Sequence, residues 1–92
     1  MKDKYKELSL NLDNIINSLK EFKETKNDFK KPDIRAYQVQ MLNLGKVIGS
    51  PVLKHVTNLN DDIDEYLSEP LDKKYLNLIG DATRLKNDLW EL

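Results

Sequence analysis

The chain has no cysteine, one histidine, one tryptophan, and only three residues each of glycine and proline. Without cysteine there is neither a disulfide framework nor a thiolate metal site, so stability has to come from packing. The few glycines form no phosphate-cradling loop, and no Ser-His-Asp or metal-ligand spacing is present. No catalytic residue, cofactor or metal is therefore expected. No apolar run approaches the roughly 20 residues that span a bilayer, so no membrane span is expected. Neither charge sign is in excess: the formal net charge is -1, which removes the broad attraction behind most nucleic-acid binding. No nucleic-acid partner is expected. The opening MKDKYKEL is charged with no apolar run behind it, so no signal peptide is expected and the default location is cytoplasmic.

What the sequence does have is periodicity. Apolar residues recur at spacings of three and four in four stretches: Tyr5, Leu8, Leu12, Ile15, Leu19 and Phe22; Ile34, Tyr37, Met41, Leu44 and Ile48; Val52, Val56, Leu59, Ile63 and Tyr66; Leu71, Tyr75, Leu78, Ala82, Leu85, Leu89 and Leu92. This is the signature of amphipathic helices sharing a core. Pro or Gly falls near each break. Pro32 disfavours helix at Lys31, with Asp33 as the expected N-cap and Phe29 as a closing core residue. Gly49 ends the second helix, and Ser50-Pro51 reads as an N-cap followed by a first-turn proline. Ser68-Glu69-Pro70 is the third break. The predicted helices span about 3–28, 34–48, 51–67 and 72–91 of the 92 residues, in a single domain. Short connections make consecutive helices antiparallel, so the expected fold is an all-α up-down-up-down four-helix bundle.

Some apolar residues fall off the stripes. Leu42, Leu76 and Ile79 are explained by the broad face a bundle helix needs to touch two neighbours. Val39, Val47 and Trp90 are harder to absorb and suggest an exposed patch for a partner, with Lys46 in support. Gly45 lies on the apolar side of the second helix, where close approach of a neighbour would account for it. From Ile34 to Asn60 there is no acidic residue, and only Arg35, Lys46 and Lys54 are cationic. That stretch suits either a face for a protein partner, including a membrane-embedded one, or simply the most buried helix. It would also suit a homodimer.

The remaining polar features favour plain readings. His55 sits at the edge of the third stripe, where a half-buried boundary histidine is expected. Histidine phosphotransfer domains place their histidine in a His-x-x-Lys-Gly context. Here the run is His55-Val56-Thr57-Asn58-Leu59, without the Lys and Gly, so phosphotransfer is only a third reading. Asp61, Asp62, Asp64, Glu65 and Glu69 oppose the helix dipole near the end of the third helix. They lack the EF-hand spacing and glycine. Lysines from neighbouring helix ends, among them Lys20, Lys23, Lys26, Lys30, Lys31, Lys73 and Lys74, are expected to balance them. The alternative is a basic partner surface.

The order of elements resembles the small immunity proteins that protect bacteria from pediocin-like (enterocin-A-type) bacteriocins. The likeness rests on the second half: Ser50-Pro51-Val52-Leu53-Lys54-His55-Val56 opening the third helix, the polar turn Ser68-Glu69-Pro70-Leu71, and Leu76-Asn77-Leu78-Ile79-Gly80 in the fourth. The resemblance implies a cytoplasmic antiparallel four-helix bundle that performs no chemistry. It implies recognition of the bacteriocin-engaged membrane component of a sugar phosphotransferase transporter from the cytoplasmic side. Family members carry a tail after the fourth helix that contributes to specificity. Here Trp90-Glu91-Leu92 still belongs to the fourth stripe, so recognition is expected on the helices. The competing reading is a small regulatory or inhibitory protein of a phage or mobile element that binds a host enzyme through its acidic run.

Overall fold

The structure, a computed structural model, describes residues 2–92. Four helices account for most of it: α1 (Lys2–Thr25), α2 (Lys31–Ile48), α3 (Val52–Ser68) and α4 (Asp72–Asp88). Short 3-10 turns lie at Asp28–Lys30 and Leu89–Glu91. No strand occurs among the described residues. Consecutive helices pack together and α1 closes the ring against α4, giving the antiparallel four-helix bundle that the stripes predict. Among the described residues no helix is long and apolar enough to cross a membrane.

The stripes become the core because each places one side chain per turn on the inner face. Leu8, Leu12, Ile15 and Leu19 of α1, Ile34 and Met41 of α2, Val52, Val56 and Ile63 of α3, and Ala82 of α4 are inaccessible to solvent. Leu42 and Ile79 pack partly buried against them. Leu76 does not; it stays exposed on α4.

At one end, Phe22, Tyr66 and Tyr75 tie α1, α3 and α4 together. The Phe22 and Tyr66 rings meet edge to face with centroids 6.0 Å apart, and Tyr66 lies 5.8 Å from Tyr75. Such offset pairs are the favoured aromatic geometry. Lys23 caps the cluster, its ammonium 4.7 Å from the Tyr75 ring centre. Burial pushes the Tyr66 hydroxyl pKa up, with Tyr75 and Asp72 adding to the shift.

The helix ends depart from expectation in ways the backbone explains. α1 stops at Thr25 rather than at 28 because Lys26 turns left-handed (φ 51°) while its N–H bonds the Phe22 carbonyl at 2.7 Å. The Asn27 side chain then accepts the Phe29 N–H, capping the 3-10 turn. Phe29 thereby points away from the core and is 88% exposed, so it does not close the bundle. α2 starts at Lys31 rather than 34. Pro32 occupies its first turn, where no N–H is needed, and Asp33 sits inside that turn instead of capping it. Gly49 ends α2 at φ 87°, a conformation that favours glycine. The Pro51 carbonyl accepts from the His55 N–H at 3.3 Å, so Pro51 takes the N-cap position expected of Ser50. Leu71 precedes α4 in extended conformation and so falls outside the core stripe, nearly half exposed.

At Gly45, α2 and α3 approach closely. A Cβ there would collide with a methyl of Val56 and touch Leu53.

Candidate functional site

Two polar anchors set the rotation of α2, and neither stands out in the apolar pattern. Towards α1, the buried Asn11 amide donates to the Tyr37 carbonyl and to Gln40 Oε1, both at 3.0 Å. Its own Oδ1 is buried with no partner among the described residues. Towards α3, the buried Gln38 donates to Asn60 Oδ1 at 2.9 Å and Asp64 Oδ1 at 2.8 Å. Arg35 donates to Gln38 Oε1 at 3.1 Å and pairs with Asp64. Buried polar groups with defined partners specify register, because misalignment leaves them unsatisfied. With Tyr37 and Gln40 tied to α1 and Gln38 tied to α3, Val39 has only the outer face left.

Val39 and Val47 are each 59% exposed. They line one shallow groove of about 410 Å³ between α1 and α2, together with Lys4, Ala36, Gln40, Asn43 and Leu44. No acidic residue lines it. Lys46 is exposed on the same helix, but it does not line the groove. Trp90 does not line the groove either. It belongs to the 3-10 turn after α4, is 53% exposed, and packs edge-on against Tyr5 with centroids 5.6 Å apart. Val39 and Val47 thus line one groove, and Trp90 is not among its lining residues.

The α3/α4 seam, across the bundle, has the opposite character. His55, Asn58, Asp62, Asp81, Arg84 and Asp88 surround a hollow of about 270 Å³ over Leu59, Leu85 and Leu92. His55 is exposed at its edge rather than half-buried. The position faces outward because Val56 and Leu59 take the inner side of α3. Among the described residues no group of three or more His, Asp or Glu side chains is placed to hold a metal ion.

The acidic run is only partly balanced. Asp64 pairs with Arg35, and Glu69 lies 3.6 Å from Lys74. Asp61, Asp62 and Glu65 have no ion-pair partner among the described residues. Burial at the seam raises the Asp62 pKa above the ordinary 3.8, and the carboxylates of Asp81, Glu65 and Asp61 raise it further. The folded chain therefore holds the Asp62 proton more tightly than the unfolded chain does. Stability falls as pH rises through the window that opens at 3.8. Asp62→Asn should accordingly be more stable than the wild type at neutral pH in urea titrations. The advantage should vanish at about pH 3, where Asp62 is protonated in both states. An advantage that persists undiminished in acid would contradict this electrostatic origin.

Compared with known proteins, the chain matches no family model, and no curated protein or solved structure matches it.

Proposed function

We propose that this chain is a non-enzymatic protein-binding bundle of the immunity type, acting in the cytoplasm against pediocin-like bacteriocins. Its partner in this reading is the membrane-embedded component of a transporter, met through the α1/α2 face. The observation that carries the reading is the pairing of Val39 and Val47 over one acid-free groove. Branched apolar side chains held outward by buried hydrogen bonds suit a protein surface better than water. The segments opening α3 and running through α4 resemble the immunity family and supply the named role.

The test is protection. A bacterium sensitive to a pediocin-like bacteriocin should tolerate many times more of it when this chain is expressed. Val39→Asp combined with Val47→Asp should abolish protection while the helical circular dichroism signal and Tm stay near wild type. Failure of the wild-type chain to protect against such peptides would overturn the immunity role. Full protection by the folded double variant would overturn the assignment of the face.

A further inference from the structure

The α3/α4 seam has a lining distinct from that of the α1/α2 groove. Asp62 and Asp81 border two adjoining hollows, the second of about 350 Å³ and including Glu65. Four carboxylates, Asp62, Glu65, Asp81 and Asp88, face two cations, Lys74 and Arg84. Arg84 lies 3.5 Å from Asp81, and Lys74 pairs with Glu69 outside the hollows. Asp62, Glu65 and Asp88 have no ion-pair partner among the described residues.

The spacing along the two walls is matched. On α4, Asp81, Leu85 and Asp88 fall on one face; on α3, His55, Leu59 and Asp62 do the same. Because the helices are antiparallel, each wall presents polar groups at both ends and a leucine in the middle. Residues seven apart on a helix are about 10.5 Å apart along its axis. A helix lying in the seam with two basic residues seven apart, and an apolar residue midway, would match that pattern of charge and shape. A bare metal ion would not, since no three ligating groups converge.

We propose that the α3/α4 seam docks a cationic amphipathic helix of a protein partner, its basic side chains meeting Asp62, Asp81 and Asp88 and its apolar residue resting on Leu59 and Leu85. Arg84 sets the register by repelling a cation placed midway.

The probe is a synthetic helical peptide of about 15 residues, carrying Lys seven apart with Leu between on an Ala/Gln background. It is titrated into the isotopically labelled chain by amide NMR. Shifts should be confined to residues 55–65 and 77–92. Raising salt from about 50 to about 300 mM should weaken binding at least about tenfold. Asp62→Asn with Asp81→Asn should weaken it by a similar factor, and so should Asp88→Asn alone, at an exposed position that does not support the core. The charge-matched control, Asp61→Asn with Glu24→Gln, lies off the seam and should bind within about twofold of wild type. The proposal is overturned by equal losses in the control, by shifts on the α1/α2 face, by equal binding of a peptide with Glu in place of Lys, or by the same shifts with spermine or magnesium alone.

Discussion

Tyr66→Ala should remove about 3–5 kcal/mol of folding stability. That is a large part of the roughly 5–15 kcal/mol available to a domain of this kind. Tyr66 is 2% exposed and touches the rings of both Phe22 and Tyr75. Its truncation empties the point where α1, α3 and α4 meet. The bundle is too closely packed to refill such a void with neighbouring side chains. The loss should come from the ring and not from the hydroxyl, since no described residue hydrogen-bonds that oxygen. Tyr66→Phe should therefore stay within about 1 kcal/mol of wild type. Urea unfolding followed by circular dichroism separates the two. A phenylalanine variant as damaged as the alanine variant would show that the hydroxyl, not the packing, holds this end.

Gly45→Ala should destabilise the chain by about 1–3 kcal/mol, the usual cost of overfilling a packed interior. Helix preference alone predicts the reverse, because Ala outranks Gly by about 1 kcal/mol in a helix interior. Sterics should win because the obstructing atom is a methyl of Val56, a stiff β-branched side chain with no solvent-exposed surface to move into. Gly80 provides the contrast. A Cβ there meets nothing within 4 Å, so Gly80→Ala should gain up to about 1 kcal/mol from helix preference alone. The same substitution in two helices should thus have opposite signs. A double-mutant cycle sharpens the argument. With Val56→Ala in place, the added methyl at position 45 fills space instead of contesting it, and Gly45→Ala should then be neutral or stabilising. If Gly45→Ala costs the same in both backgrounds, the close approach of α2 and α3 is not its cause.

Much of this architecture is legible in the residues. The stripes name nearly every buried side chain, because a helix with one apolar face has only one way to hide it. Gly45 is also readable, as a poor helix former retained on an inner face. The misses have local causes. Phe29 extends the α1 spacing on paper, but the left-handed Lys26 and the Asn27 cap redirect the chain before it arrives. Leu71 continues the α4 spacing, yet the helix begins one residue later. Asn11 and Gln38 were hidden by polarity. Gln38 stands four residues after Ile34 and three before Met41, on the apolar stripe itself. A polar residue in that register is the available sign of a buried hydrogen-bonding anchor.

The candidate surfaces divide the same way. That Val39 and Val47 lie off the stripe is visible from spacing, and both prove exposed. Trp90 shares that property without lining their groove, and wheel position says nothing about how a chain turns after its last helix. The rows His55-Leu59-Asp62 and Asp81-Leu85-Asp88 are present in the sequence as spacings. They acquire meaning only once antiparallel packing sets them across one seam.

The account stands on Val39 and Val47 being spare surface, shaped for a partner and not needed by the core. Urea unfolding of the Val39→Ala/Val47→Ala variant tests this most directly. The predicted result is a stability within about 0.5 kcal/mol of wild type, as for exposed positions. A loss of about 1–3 kcal/mol or more, the range for buried aliphatic groups, would make both residues part of the packing and contradict the account.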